Sequence, residues 1–139
     1  MLSLEEISDR LEIQQLLAAY STAIDAGRFD DLDDLFTDDG EVDLSVTGGA
    51  YGPFGEVKAW LIETLSSMGA YMHLVSNTDL RVAGDTATAR TACVNPLVLD
   101  PKSNAVYLIC FWYDDEFARI NGSWRFRKRT QVKCLDKLL

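Results

Sequence analysis

Val106-Tyr107-Leu108-Ile109-Cys110-Phe111-Trp112-Tyr113-Asp114-Asp115-Glu116-Phe117-Ala118-Arg119-Ile120, then Asn121-Gly122, then Ser123-Trp124-Arg125-Phe126-Arg127-Lys128-Arg129-Thr130-Gln131-Val132-Lys133-Cys134 is the stretch that decides the fold. Two runs rich in β-branched and aromatic residues flank Asn-Gly, the strongest short-range hairpin signal a sequence can carry. Each run exceeds the usual strand length of about five or six residues, and strands that long in a small sheet must twist and curl. A curled sheet has a concave face.

Upstream, Thr86 to Leu99 and Met72 to Val82 have the same strand-like composition, and Gly84-Asp85 and Asp100-Pro101-Lys102-Ser103-Asn104 separate them as turns. The second half of the chain therefore reads as a four-strand meander. The first half is different. Ser3 followed by Glu6 is a capping-box spacing, and Ile13, Leu16, Leu17, Tyr20 and Ile24 then recur on one helical face, predicting a helix from about Leu4 to Ala26 that Gly27 ends. Phe29, Leu32 and Phe36 repeat at helical spacing and predict a short second helix, with Asp30, Asp31, Asp33 and Asp34 as its wet face. Asp38-Asp39-Gly40 reads as a turn, Val42, Leu44 and Val46 as an alternating strand closed by Gly48-Gly49. After a Gly/Pro loop from Tyr51 to Gly55, Val57, Leu61, Leu65 and Met68 mark a third helix that stops near Gly69. Helices followed by a run of strands predict an α+β domain, with N-terminal helices packed on a strongly curved, mainly antiparallel sheet, and argue against a doubly wound parallel sheet. No repeat or linker interrupts residues 1–139, which read as one domain, and no GxGxxG, GxxxxGK[ST] or GxSxG motif occurs.

Composition narrows the function. Thirteen basic residues against 22 acidic ones give a formal charge of −9, a field that repels phosphate backbones and anionic lipid headgroups, so neither nucleic acid nor membrane is the expected partner. The N-terminus lacks a basic stretch followed by an apolar one, and no apolar run approaches the roughly 20 residues that span a bilayer, which makes the cytoplasm the default location. Cys93, Cys110 and Cys134 are odd in number and without CxxC spacing, suggesting neither a disulfide framework nor a zinc site. His73 is the only histidine, so no multi-histidine metal site exists, and chemistry without metal or cofactor is the expectation.

Several segments carry a resemblance. Tyr20-Ser21-Thr22-Ala23-Ile24-Asp25-Ala26-Gly27-Arg28-Phe29-Asp30-Asp31-Leu32 with Leu35-Phe36-Thr37-Asp38-Asp39-Gly40, then Met72-His73-Leu74-Val75-Ser76-Asn77, Gly84-Asp85-Thr86-Ala87, and Gly122-Ser123-Trp124-Arg125-Phe126 ending in Arg129, resemble the SnoaL-like group of the nuclear transport factor 2-like superfamily. The resemblance spans nearly the whole chain and implies a cone-shaped α+β barrel, cystatin-like in outline, with a deep pocket. It is similar within that superfamily to scytalone dehydratase and the bile-acid dehydratases, in which a helix-borne Tyr, an Asp five residues later and a strand-borne His share the pocket. Tyr20, Asp25 and His73 occupy those positions. A second histidine of the scytalone-type pattern has no counterpart, because the matching stretch reads Cys93-Val94-Asn95-Pro96; Asn95 can donate a hydrogen bond to a substrate oxygen but cannot shuttle a proton.

Each candidate has a plainer reading. Tyr20 continues the apolar stripe of the first helix and suits a core position; Asp25 sits where the helix dipole disfavours a carboxylate; a lone His between apolar neighbours is often a hydrogen-bonded core residue. Spacing by itself leaves Tyr20 and Asp25 about 140° apart on a helix, so they converge only if the helix ends between them or the pocket wraps its last turn. On the long strands, Tyr107, Ile109, Phe111 and Tyr113 share one face by period two, Leu108, Cys110, Trp112 and Asp114 the other, and the pattern leaves open which lines the pocket. Cys110 and Trp112 are the candidate substrate contacts from the second set, and Arg129, on one face with Arg127, reaches either an anionic substrate group or solvent. The expected activity is dehydration, isomerisation or cyclisation of an apolar cyclic, polyketide- or steroid-like ligand, with His73 and Asp25 as a coupled acid/base pair, in a homo-oligomer, dimer or trimer. The alternative is a non-catalytic ligand-binding or protein-interaction module on the same scaffold.

Overall fold

The computed structural model describes residues 1–139. Helix α1 runs Leu4–Asp25, strand β1 Phe36–Asp43, β2 Tyr51–Pro53, helix α2 Phe54–Ser66, β3 Ala70–Tyr71, β4 Leu74–Ala83, β5 Thr86–Val98, β6 Tyr107–Ile120 and β7 Ser123–Leu138. The seven strands form one sheet in the order β2-β1-β7-β6-β5-β3, with β4 also on β5. All pairings are antiparallel except β1 with β7, a parallel pair separated in sequence by β2, α2 and β3 to β6, the long connection that parallel neighbours require. The helices pack on this strongly curled sheet, and together they form a half-barrel.

Helix α1 starts at the expected capping box: Ser3 Oγ accepts from Glu6 N at 3.1 Å, and Glu6 Oε2 accepts from Ser3 N at 2.7 Å. Its buried residues include Ile13, Leu16, Leu17, Tyr20 and Ile24. The expected second helix is a 3-10 turn over Phe29–Leu35, too crowded with adjacent aspartates to continue as an α-helix; only Leu32 is buried in it. Asp38-Asp39-Gly40 is not a turn between elements. It lies inside β1, where the register against β7 jumps from Phe36–Phe126 to Glu41–Lys128, so Asp38 and Asp39 bulge into solvent while Phe36, Gly40 and Val42 stay buried. The expected strand through Val46 accordingly begins earlier and ends at Asp43, followed by a 3-10 turn at Ser45–Thr47.

Two bulges in β7 decide what faces inward. Glu116 pairs with Lys128 but Phe117 with Phe126, which makes Arg127 the extra residue; Cys110 pairs with Leu135 but Phe111 with Lys133, which makes Cys134 the extra one. Counting by twos along β7 fails at Arg127. Phe126 and Arg129 therefore both point into the core, while Arg127 stays outside against Glu116 at 3.3 Å. On β5 and β6 the alternation is regular: Ala89, Thr91, Cys93, Asn95 and Leu97 pair opposite Asp115, Tyr113, Phe111, Ile109 and Tyr107 on the concave side.

The far end of the hairpin is tied to the start of α1. Asp9 accepts from Trp124 Nε1 at 3.0 Å and from Arg119 Nη1 at 2.6 Å, and the Arg119 guanidinium stacks 4.7 Å from the Trp124 ring. Asp9→Ala leaves a buried indole N–H and half a guanidinium without an acceptor, an expected loss of about 2–3 kcal/mol in urea unfolding. The hydrogen bond from Trp124, then Arg119, holds the Asp9 carboxyl below its usual range against the opposing effect of burial. A lowered carboxyl stabilises the fold above the unfolded pKa of about 3.9 and ceases to as pH falls through the folded value. The gap between wild type and Asp9→Ala should therefore be full at neutral pH and shrink below about pH 4.

Candidate functional site

The concave face is not packed solid. Between the C-terminal half of α1, α2, the Leu44–Gly48 turn and strands β5 to β7 lies a cavity of about 220 Å³. Most of its lining is hydrophobic, and its polar groups are few: Tyr20, His73, Asn95, Tyr107, Tyr113, Gln131 and two threonines, one on the turn and one on α2. Trp60 of α2 forms one wall, and Gly49 holds the turn against it, since a Cβ there would meet Leu44 Cβ at 2.7 Å and Trp60 at 3.1 Å. A few convergent polar groups in an apolar concavity is the make-up of a small-molecule site.

His73 stands at the edge of this cavity, in the break between β3 and β4, because the strand expected from Met72 begins only at Leu74. Two interactions hold it there. Asp25 Oδ2 accepts from the His73 backbone N–H at 2.9 Å, and Asp25 Oδ1 lies 2.7 Å from His73 Nδ1. A carboxylate only accepts, so Nδ1 carries the proton and donates, and in the neutral imidazole the lone pair is then on Nε2. Asp25 is the last residue of α1, where the helix dipole disfavours negative charge; the two N–H groups of His73 compensate for that placement. The imidazole is about one-tenth exposed and the carboxylate about one-quarter.

The structure uses neither way of bringing Tyr20 and Asp25 together: the 140° between them stands, and only Tyr20 faces the cavity. Both lie within α1, Tyr20 and Ile24 line the cavity, and Asp25 reaches His73 from behind without lining the cavity itself. Asn95 lines the cavity on β5, and its Nδ2 donates to the Met72 carbonyl at 2.8 Å, so part of its donor capacity fixes the backbone next to His73. Tyr20, His73 and Asn95 thus share one cavity, with Asp25 behind His73.

Cys110 and Trp112 do not join them. The odd-numbered set of β6 is concave, so Tyr107, Ile109 and Tyr113 line the cavity, while Cys110 and Trp112 lie on the convex face, where Arg90 sits 5.8 Å over the Trp112 ring. Arg129 is neither solvent-exposed nor in the cavity lining. It is 0% exposed beneath the cavity floor, paired with Asp115 through Nε–Oδ1 at 2.8 Å and Nη2–Oδ2 at 2.9 Å. Its guanidinium carbon lies 3.7 Å from the Tyr113 ring centroid, 4.3 Å from Tyr20 and 4.4 Å from Phe126. Burial disfavours the charged guanidinium, but the Asp115 carboxylate outweighs it and pushes the pKa further up, so Arg129 stays a cation.

Asp115, Gln131 and Trp60 are absent from the sequence-derived site. The signal for Asp115 was present: it shares the inward parity of Tyr113 and Phe117, and a carboxylate at a core position requires a cationic partner. Cys93, also inward, is no nucleophile, because burial pushes its thiol up to about 12. No helix is long and apolar enough to cross a membrane, and no group of three His, Cys, Asp or Glu side chains is arranged to hold a metal ion.

A strongly curled sheet closed by helices over an apolar cavity is the nuclear transport factor 2-like, cystatin-like architecture. The SnoaL-like domain description matches residues 5–130, and the chain belongs to that family. It is 46% identical over all 139 residues to the uncharacterized protein Rv2910c of Mycobacterium tuberculosis, covering 95% of that protein. Among solved structures, a Novosphingobium aromaticivorans protein provisionally described as a scytalone dehydratase superposes with a TM-score of 0.82 at 18% identity, over 94% of this chain and 87% of that one. The hexachlorocyclohexane dehydrochlorinase LinA-type3 of Novosphingobium barchaimii gives 0.83 at 22% identity, over 98% of this chain and 93% of the other. At such identities the superpositions show a common fold.

Proposed function

We propose that the protein is a cofactor-independent enzyme that removes a C–H proton from a small apolar cyclic substrate and expels a leaving group from the adjacent carbon, as a dehydratase does, or returns the proton elsewhere, as an isomerase does. The observation that carries this reading is the Asp25–His73 pair: Nδ1 is committed to the carboxylate at 2.7 Å, and the imidazole lines the cavity. In the dehydration case, Nε2 takes the proton, the electrons of the broken C–H bond form the C=C bond, and the hydroxyl leaves with a proton as water. A single imidazole can serve both transfers in turn, which suits a chain with one histidine.

Asp25 orients the ring and stabilises the imidazolium that forms. Asn95 keeps the backbone at Met72 in register and contributes an amide to the cavity wall, and Tyr20 polarises a substrate oxygen. Dehydratase and dehydrochlorinase, the descriptions of the two structural neighbours, name the loss of water and of hydrogen chloride, both eliminations, and this supports the same class here. The cavity, smaller than the roughly 300–1,000 Å³ of most ligand pockets, favours a compact ring over a full steroid. The test is a screen of cyclic β-hydroxy ketones for loss of water, monitored by absorbance of the conjugated product, with His73→Gln alongside. Turnover by the wild type and a drop of about 10²-fold or more in the variant is expected. Ligand binding detected by thermal shift with equal, background-level conversion by both proteins would assign the cavity to a non-catalytic binding module instead.

A further inference from the structure

Tyr113 takes no part in the proton transfer at His73. It is 1% exposed, lines the cavity, and stands beside Tyr20 with ring centroids 6.0 Å apart in an edge-on arrangement. Both rings rest on one buried cation, the Arg129 guanidinium, which Asp115 locks in place through two hydrogen bonds. Burial raises the pKa of both phenols, the Arg129 charge opposing it, so at neutral pH each is a neutral donor and not a base. A pocket that places an imidazole at its rim and two phenol donors over a fixed positive charge at its floor is polarised: one end takes a proton and the other receives electron density.

We propose that Tyr113 is a second oxygen-binding group of the site, donating with Tyr20 to one substrate oxygen that becomes anionic as His73 removes a proton, with Arg129 as the positioning residue that holds a cation beneath both rings. The inference rests on the proton-transfer reading above and narrows its substrate class to ring ketones and enones, whose carbonyl acidifies the C–H bond α to it or, through the C=C bond of an enone, γ to it. The step balances without any further reactant. The C–H proton goes to Nε2, the C–H electron pair becomes the C=C bond of an enolate, and the carbonyl π pair goes to the oxygen facing the two phenols. Reprotonation at another carbon, or loss of a β-hydroxyl as water, then restores the carbonyl.

An enolate is mimicked by a phenolate, so 4-nitrophenol, coloured only when ionised, reports on this end of the pocket without turnover. Titrated with wild-type protein, bound 4-nitrophenol should ionise at a pH about one unit below that of the free compound, a tenfold gain in the ionised form. Tyr113→Phe should erase most of that shift while circular dichroism stays unchanged, and His73→Gln should retain it. Arg129→Lys should keep part of the shift, and Arg129→Gln, in whatever fraction remains folded, none. A bound phenol with unshifted ionisation in the wild type, no binding at all, or a Tyr113→Phe protein that shifts it as fully as the wild type would overturn the proposal. A normal phenolate signature together with a His73→Gln protein that still converts ring ketones at the wild-type rate would leave this inference standing and sink the function proposed for the dyad.

Discussion

Asp25→Asn is expected to reduce kcat by about 10²- to 10⁴-fold with the fold intact, the largest effect on activity of any isosteric change in the chain. The reason is a count of acceptors. One carboxylate takes both the His73 backbone N–H at 2.9 Å and the Nδ1–H at 2.7 Å. An amide offers a single oxygen. If that oxygen keeps the backbone N–H, the amide NH₂ faces Nδ1 and forces the ring proton onto Nε2, the atom that must be a free base. Reversing the amide restores the tautomer but sets an NH₂ donor against the His73 backbone N–H and shifts the segment that carries the histidine. Either way the base is lost or displaced, while the core, in which Asp25 has no part, is unaffected. Asp25→Glu retains two acceptors on a longer arm and should fall between the two.

Asp115→Leu is expected to cost about 3–5 kcal/mol and to lower Tm by more than about 10 °C, the largest effect on stability. It strands a guanidinium that is 0% exposed and, at its pKa, has no means of becoming neutral. The converse, Arg129→Met, should cost less, because a buried carboxyl can protonate: burial already raises the Asp115 pKa even with Arg129 opposing it. The two variants then differ in pH dependence. With its folded pKa raised above the unfolded value, Asp115 in Arg129→Met holds its proton at low pH and loses stability as pH rises toward the folded pKa, so this variant should be most stable in mild acid. Combining Asp115→Leu with Arg129→Met removes both charges and should recover most of the loss, at the cost of the cation–π contacts to Tyr20, Tyr113 and Phe126. Urea denaturation of the three proteins at two pH values measures all of these differences.

The long Asn121-Gly122 hairpin, the capping box and the helices-then-strands order were legible because each is written in local chemistry: a turn dipeptide, a side chain three residues from its cap, a period of 3.6 or 2. Bulges are not written that way. Arg127 looked equivalent to Arg129 by counting, and only the extra residue in β7 separates an exposed arginine from a buried one. Likewise Asp38-Asp39-Gly40 carries the composition of a turn yet is accommodated as a bulge inside a strand, because β1 gains more by keeping Phe36 and Val42 against β7 than by ending. Which face of β6 is concave could not be read from residues 107–114, since both sets are aromatic; the charged residues further along, Asp115 inward against Arg129 and Glu116 outward, are what distinguish the faces. Tyr20, Asp25 and His73 came from a resemblance, and helical spacing alone argued against their meeting. Tyr20 and Asp25 indeed do not meet; Asp25 stays outside the cavity and reaches only the histidine that lines it.

Hydrogen exchange at carbon tests directly, without the natural substrate, that His73 Nε2 takes a proton from carbon. In deuterated buffer, a cyclic ketone that binds the cavity should lose the NMR signal of its α-hydrogen at a rate proportional to enzyme concentration, and His73→Gln should reduce that rate to the buffer background although the ketone still binds. Exchange at the wild-type rate in the His73→Gln protein, or no enzyme-dependent exchange of any ketone that demonstrably occupies the cavity, would contradict it.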